Sequence, residues 1–429
     1  AHADALAPGV SAGVRERALT RVLVHHPGSN HLAYQLVAAL QRGGYDARFE
    51  TGFFHTEDGR AARLARALPH ALAERVLREL KRRSHDGVDP ARLHLYPWPE
   101  LAYVALARAG IGGTLLARAV GWRNDAFDRH VARKVAREAP RVVIGHDGSA
   151  LYAQRAARAN GGLALLNQVV GHIEAALDIF REEARLAPEF AQTLPLIPQA
   201  IVRRHREEIA TAERILVPSD YVRDTLVERG ADATRIFVLP YGVDIKRFRP
   251  GPAGGTKRPF RLLFVGQLSQ RKGIKYLLEA VRRLDNPEIE LVLVGQMAGR
   301  EAAFAPYRKW FRHVPHVPFH EVHALYQDAD LFVYPSLHEG SAFAAYEALA
   351  SGLPVICTPN TGSVVRDGED GFLVRPRDAD ALAERISFLY RHPDLRLALA
   401  TRARARAEEF TWERYGERLC ACLDSWLVA

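Results

Sequence analysis

The sequence predicts an α/β protein made of two doubly wound, Rossmann-like parallel-sheet domains that face each other across a cleft. Three observations lead there. Short apolar runs alternate with amphipathic helical stretches along most of the chain. A Gly- and Pro-rich break, Gly251-Pro252-Ala253-Gly254-Gly255-Thr256, interrupts it past the middle. Beyond that break the strand-and-helix alternation starts afresh. Strands separated by helices pair in parallel, because each crossover returns the chain to the same end of the sheet.

The elements follow in order. Residues 21–26 (Arg-Val-Leu-Val-His-His) read as a strand, residues 27–30 as a loop and residues 31–42 as a helix stopped by Gly43-Gly44. Residues 45–54 read as a second strand. Residues 58–83 read as amphipathic and helical, interrupted at Pro69 and ending in Lys81-Arg82-Arg83. Residues 141–146 form a strand candidate followed by a helix to Asn160, and residues 162–170, 213–218 and 235–239 are further strands. After the break, residues 261–266, 290–295, 331–334, 354–357 and 371–374 repeat the pattern, with a helix over residues 273–284. The expected domains are 1–250 and 251–410, with a helix over 411–429 returning to the first.

Composition narrows the function classes. The 429 residues are 48% hydrophobic and 25% charged, as in ordinary globular proteins. No apolar run reaches the length of a spanning helix, and Ala1-His2-Ala3-Asp4 lacks the basic start and apolar run of a secretory signal. Three cysteines, Cys357, Cys420 and Cys422, give no disulfide framework and no CxxC pair, so a reducing cytoplasm is the expected compartment. The net charge of +9 is uneven: residues 1–250 hold 36 Lys and Arg against 28 Asp and Glu, net +8, and residues 251–429 hold 23 against 22, net +1. The basic half suits phosphates, anionic lipid or an acidic acceptor. Without a zinc spacing or an aromatic-interleaved basic stripe, no nucleic acid is expected as partner.

Two loops carry chemistry. Gly266-Gln267-Leu268-Ser269-Gln270-Arg271-Lys272-Gly273 joins a strand to a helix, and two adjacent cations at a helix start suit a diphosphate. It matches neither a P-loop nor a dinucleotide fingerprint. The second segment runs from Pro335 to Glu347 and places Glu339 after a strand and Glu347, eight positions on, along a helix. Between them Gly340, Ser341, Ala342, Phe343 and Ala344 offer small residues and free amides to a phosphate. A helix carboxylate can take paired hydrogen bonds from sugar or ribose hydroxyls.

These segments resemble those of the GT4 family of glycosyltransferases. Glu339 and Glu347, followed by Ala348-Leu349-Ala350-Ser351-Gly352-Leu353-Pro354, are similar to its EX7E motif, and Gly266 to Ile274 to its donor-phosphate loop. Pro240-Tyr241-Gly242-Val243-Asp244, Asp367-Gly368-Glu369-Asp370-Gly371 and Phe410-Thr411-Trp412 resemble further blocks. The resemblance covers residues 210–415 well and the first 200 only in outline. It implies a GT-B fold, retention at the anomeric carbon, no metal and no cofactor, with a nucleoside-diphosphate-sugar donor, UDP- or GDP-linked. Lys272 would touch the diphosphate with Arg271 beside it, Glu347 the ribose, Glu339 the transferred sugar, amides near Phe343 and Ala344 the phosphate, and Val317 the base. Where the family often has Arg, this chain has Gln267, and Arg271 is expected to supply that charge. The family's glycine-rich loop of the first domain is reduced here to Gly28-Ser29-Asn30.

A histidine of the first domain assists catalysis in the family; His172 is the candidate and His146 the rival, with Asp147 as an acceptor-orienting carboxylate. A helix-capping role competes for His172. Tyr96, Trp98 and Tyr103 suit either stacking on an acceptor sugar or core packing. Asp328-Ala329-Asp330 and Asp378-Ala379-Asp380 have DxD spacing but read as structural. The acceptor is expected to be a sugar, polysaccharide or glycolipid in surface-polysaccharide or glycolipid synthesis. Residues 63–83, with Arg63, Lys81 and Arg83, could lie on anionic membrane. The competing readings are a GT-B sugar-nucleotide epimerase or phosphorylase, and a sugar- or lipid-binding module without catalysis.

Overall fold

The computed structural model describes residues 12–57, 59–67, 69–81, 83–110, 112–251, 259–318 and 320–428. Ala1 to Asp4, Asp58, Arg82 and most of the expected linker, Pro252 to Thr256, lie outside the described residues.

Thirteen parallel strands among the described residues form two sheets. The first contains β1 (Arg21–His26), β2 (Asp46–Thr51), β3 (Leu93–Leu95), β4 (Val142–His146), β5 (Leu163–Asn167), β6 (Arg214–Val217) and β7 (Ile236–Val238), in the order β3-β2-β1-β4-β5-β6-β7. The second contains β8 (Phe260–Val265), β9 (Ile289–Val294), β10 (Phe311–Val314), β11 (Leu331–Tyr334), β12 (Val355–Cys357) and β13 (Gly371–Leu373), in the order β10-β9-β8-β11-β12-β13. Helices cover both faces, so central strands such as Leu331–Tyr334 are buried throughout and read as continuous apolar runs. Each sheet reverses strand order once, at β1/β4 and at β8/β11. Loops leaving these two switch points open a crevice at the carboxyl ends of the strands, where doubly wound sheets bind ligands.

Local chemistry sets several boundaries. Asn30 caps the helix His31–Arg42 by accepting from the Leu32 amide at 2.9 Å. The second strand ends at Thr51 rather than running to Phe54, and Gly52 after it lies against the Pro27 carbonyl, where a Cβ would stand 2.1 Å from that oxygen. The expected helix over 58–83 is two helices, Arg60–Arg66 and His70–Lys81, separated around Pro69. Strands β3 and β10, of three and four residues, were not expected from sequence. Polar residues break their apolar runs, Leu93-His94-Leu95 and Phe311-Arg312-His313-Val314.

The last helix, Trp412–Val428, packs on the helix His31–Arg42 of the first unit. Asp424 pairs with Arg17 and Tyr45 there, and Gly43 makes room for the Cys420 thiol. The chain thus crosses back to its starting layer. That crossing, with the contacts of Glu183 described below, holds the two sheet units face to face.

Candidate active site

The second switch point assembles the charged cluster. The loop after β8 bends at Gly266 (φ 150°), and Gly273 (φ 70°) closes it; a Cβ at Gly273 would stand 2.0 Å from the Pro335 carbonyl. This glycine lets the loops after β8 and β11 lie against each other. The Arg271 carbonyl accepts from the Leu337 amide at 2.9 Å. The side chains then meet: Arg271 Nη1 and Lys272 Nζ each lie 2.7 Å from one oxygen of Glu339, and Lys272 also donates to the Tyr334 hydroxyl.

Burial works to raise the Glu339 carboxyl, but Lys272 and Arg271 outweigh it and hold it below its ordinary value. Burial likewise opposes charge on Lys272, and its neighbours Tyr334 and Glu339 overcome that too. Arg271 is held protonated by Glu339 against the same desolvation. All three groups are therefore charged at neutral pH.

Glu347 is placed elsewhere. It accepts from the Tyr326 hydroxyl at 2.7 Å, and burial pushes its carboxyl up. It shares the helix Phe343–Ala350 with the first free amides, but no hydrogen bond joins it to Glu339. The expectation that free amides run from Ser341 to Ala344 needs correction at Ala342. Ser341 Oγ donates to the Gly362 carbonyl at 2.7 Å, and the Ala342 amide donates to the Thr361 carbonyl at 3.1 Å. The helix begins at Phe343, and Ala342 at its N-cap has no side chain to spend on it. Phe343 and Ala344 keep the available N–H groups.

Gly340 serves the contact between the two units. A Cβ there would lie 1.6 Å from the Val169 carbonyl, and the Gly340 carbonyl accepts from Ser219 Oγ at 2.5 Å. Glycine is what lets the first unit touch the Glu339 loop. Gln267 is exposed and Val317 is packed partly against the core.

Facing this cluster, the first unit presents residues 169–172. The Gly171 amide reaches the Glu339 carbonyl at 3.4 Å, and Tyr221 bonds His338 Nδ1 at 2.8 Å. His172 is one residue further on. It caps the helix Ile173–Leu186, Nδ1 accepting from the Glu174 amide at 3.2 Å, so the capping role is the one the geometry displays. Burial lowers its pKa, which keeps the ring neutral.

The first switch point holds a histidine cluster. His26 at the end of β1 meets His146 at the end of β4 edge to face, centroids 5.2 Å apart. His146 Nδ1 bonds the His25 carbonyl at 3.1 Å, and burial lowers the ring to about 4. Asp147 is pushed up to about 7, first by burial and then by Glu208. Gln168 Nε2 links Asp147 (3.3 Å) to the Val170 carbonyl (2.9 Å), and so to the loop that meets Glu339.

Gly28 and Asn30 pack onto this cluster, Gly28 through its amide to His26 Nδ1 at 3.1 Å, while Ser29 is exposed. His31, the first residue of its helix, faces Phe343, the first of the other, at 6.1 Å between centroids. Two helix N-termini, one from each unit, thus converge on the cleft, a favourable setting for an anion.

Of the aromatic candidates, Tyr96 stacks on His130 at 3.8 Å and Tyr103 lies under Arg123 at 4.7 Å, so both are engaged in packing. The DxD carboxylates serve structure: Asp330 accepts from the Arg261 amide, Asp328 pairs with Arg261, and Asp378 caps a helix.

Sequence reasoning missed Glu183 and the Arg204 cluster. Arg204 pairs with Asp125, Asp128 and Glu208, and Glu208 also takes the Gly148 and Ala150 amides at 2.6 and 2.8 Å. Buried charges on scattered helices leave no spacing in the sequence to find.

Two facing parallel-sheet units with a cleft between their switch points define the GT-B fold. Known proteins agree. HepE from Anabaena, solved with UDP and glucose, superposes with a TM-score of 0.62 at 15% identity, over 95% of this chain and all of its own. Sucrose-phosphate synthase from Thermosynechococcus elongatus gives 0.66 at 18% identity, over 95% of this chain and 99% of its own. At that identity the likeness concerns the fold.

In sequence, residues 250–406 match the family model described as glycosyl transferases group 1. D-inositol 3-phosphate glycosyltransferase from Geodermatophilus obscurus is 32% identical over 250 residues, 52% of this chain and 55% of that protein. The protein of the same name from Corynebacterium jeikeium is 31% identical over 239 residues, 49% of this chain and 57% of its own. The matches span little more than half the length of these relatives.

Proposed function

We propose that this chain transfers a sugar from a nucleoside-diphosphate-sugar to an acceptor hydroxyl, with retention at the anomeric carbon and without a divalent metal. The observation that carries the reading is the Arg271–Glu339–Lys272 cluster beside the uncapped start of the helix Phe343–Ala350. Support also comes from the match of residues 250–406 to glycosyl transferases group 1, from the names of the relatives, and from the UDP bound by HepE.

The chemistry follows from the charges. As the bond from the anomeric carbon to the diphosphate oxygen breaks, negative charge builds on the leaving group. Arg271, Lys272 and the Phe343 and Ala344 amides would stabilise it, the part a metal plays elsewhere. A diphosphate would draw both cations off Glu339, freeing that carboxylate for hydroxyls of the transferred sugar. Glu347 would hold the ribose of a UDP or GDP moiety. The acceptor oxygen would attack from the same face, its proton passing to the departing phosphate oxygen, with His172 alongside the sugar. Gly28, Ser29, Asn30, His146 and Asp147 would border the acceptor, a sugar, polysaccharide or glycolipid.

The test is thermal-shift screening against UDP-, GDP-, ADP- and dTDP-sugars, followed by transfer assays with excess EDTA. A stabilising nucleotide-sugar and EDTA-resistant transfer are expected. Donor turnover without any acceptor would favour an epimerase instead, and a strict need for added metal would overturn the metal-free mechanism.

A further inference from the structure

The first unit carries an element that neither the fold nor the cleft accounts for. Helix Trp98–Arg108 and the first half of helix Gly113–Glu138 form a hairpin, turning at Gly110 and Gly112. Residues 98–122 contain only three charged side chains, Glu100, Arg108 and Arg118. In a core helix such composition would be buried. Here the first helix buries only Pro99 and Glu100, and the second buries nothing before Phe127. Large apolar side chains stand in solvent: Trp98 is 70% exposed, Leu115 64% and Trp122 53%, with Leu101 and Leu106 also exposed. Five exposed large apolar side chains on one hairpin are the kind of feature that marks an interaction surface.

The surroundings of the hairpin choose among partners. Residues 60–123 hold twelve Lys and Arg against five Asp and Glu, net +7 of the whole chain's +9. Arg63, Arg66 and Lys81 on the two preceding helices, and Arg108 and Arg118 on the hairpin, are exposed. Exposed apolar side chains flanked by a one-sided excess of cations match the charge of an anionic lipid surface. Trp98 and Trp122 stand at the two ends of the apolar segment, and tryptophan favours the level of lipid headgroups.

No helix among the described residues is long and apolar enough to cross a membrane. The 11-residue first helix is about 16 Å long, short of the roughly 30 Å apolar core, so it can enter one leaflet only. At its base Glu100 pairs with Arg123 at 3.1 Å and with Arg83 at 3.7 Å, and lies against Gly28. The hairpin is thus fastened to the loop at the first switch point.

We infer that the hairpin of residues 98–122 dips into an anionic lipid surface, with the cations of residues 60–83 on the headgroups. This extends the expectation for residues 63–83: those helices supply charge and the hairpin supplies apolar penetration. Docking there would bring the mouth of the cleft beside an acceptor held in the bilayer.

The experiment is cosedimentation of the full chain with phosphatidylglycerol-containing vesicles and with pure phosphatidylcholine vesicles. Binding is expected to the first, weakening when salt rises from about 0.15 M to about 0.5 M. The triple variant Trp98→Ser, Leu115→Ser, Trp122→Ser should lose at least about tenfold in partition, since each removes a side chain from an apolar environment. Arg63→Gln with Arg66→Gln should flatten the lipid and salt dependence. Thermal unfolding like that of the wild type checks the fold; if the triple variant fails this, the three single variants replace it. Failure of the wild type to bind anionic vesicles, or equal binding by the variants, overturns the inference. So does a wild-type dimer that the hairpin substitutions dissociate, which would identify a second copy as the occupant. Neither readout involves sugar transfer, so the inference can fail without the proposed activity, and the reverse.

Discussion

The Glu183 carboxylate accepts a hydrogen bond from the Gln270 side chain at 2.6 Å, fastening the first sheet unit to the loop that carries Arg271 and Lys272. Glu183 is fully buried, and the same group takes the Tyr276 hydroxyl at 3.0 Å and Arg377 Nε at 2.5 Å. Three donors from the second unit therefore depend on one acceptor from the first.

Glu183→Ala should cost about 3 kcal/mol, because it leaves the Gln270 amide and the Tyr276 hydroxyl without their acceptor and Arg377 with Glu182 alone. Thermal denaturation would read this as a lower Tm, and nucleotide-sugar affinity should fall as the donor loop loosens. Glu183→Gln, which keeps an acceptor oxygen, should recover part of both.

Gly340→Ala tests the close approach of the two units. The added Cβ would collide with the Val169 carbonyl, so the Glu339 loop must withdraw from residues 169–171. We expect transfer to fall by at least about tenfold, as for a misplaced reacting geometry. Small-angle scattering should show a more open shape, with each unit still folded. An unchanged profile with full activity would refute the role given to this glycine.

Lys272→Ala removes one of the two cations on Glu339 and the partner of Tyr334. The loss of one charge-assisted contact predicts about tenfold or greater weakening of donor binding, measured by calorimetry with the nucleoside diphosphate. His172→Ala separates helix capping from catalysis. A cap alone costs about 1 kcal/mol of stability and leaves kcat unchanged, whereas a residue at the transferred sugar lowers kcat.

Asp147 gives a pH test. Its carboxyl is raised to about 7, so the folded protein binds this proton more readily than the unfolded chain does. Its stabilising contribution is complete at low pH and is lost as pH rises through 7. Asp147→Asn has no such loss. The variant should gain on the wild type as pH goes from 5 to 8, by at most about 2.7 kcal/mol. Urea denaturation at both pH values would measure the difference. His25 and His146, lowered to about 3 and about 4, act in the opposite direction in both proteins, so they cancel.

Much of this arrangement was legible beforehand for a simple reason. Central parallel strands such as Leu331–Tyr334 are buried on both faces, and glycines at strand ends mark where loops turn. Adjacent Arg271 and Lys272, and the spacing from Glu339 to Glu347, are local facts of the chain. The short edge strands β3 and β10 were not legible, nor was the hairpin of residues 98–122, whose apolar composition looks like core until its exposure is known.

The sequence by itself determined the alternation that makes two parallel sheets, the loops that bear charge, and the excess of cations in the first half. Tertiary structure alone decided which charges meet. Arg271 and Lys272 are paired with Glu339 because Gly273 lets two loops touch, and Glu347 is given to Tyr326 although it lies eight residues from Glu339. Glu183 joins Gln270 across 87 residues. Hydrophobic periodicity is a property of neighbours along the chain, whereas ion pairing and burial depend on distances in space, which no local pattern encodes.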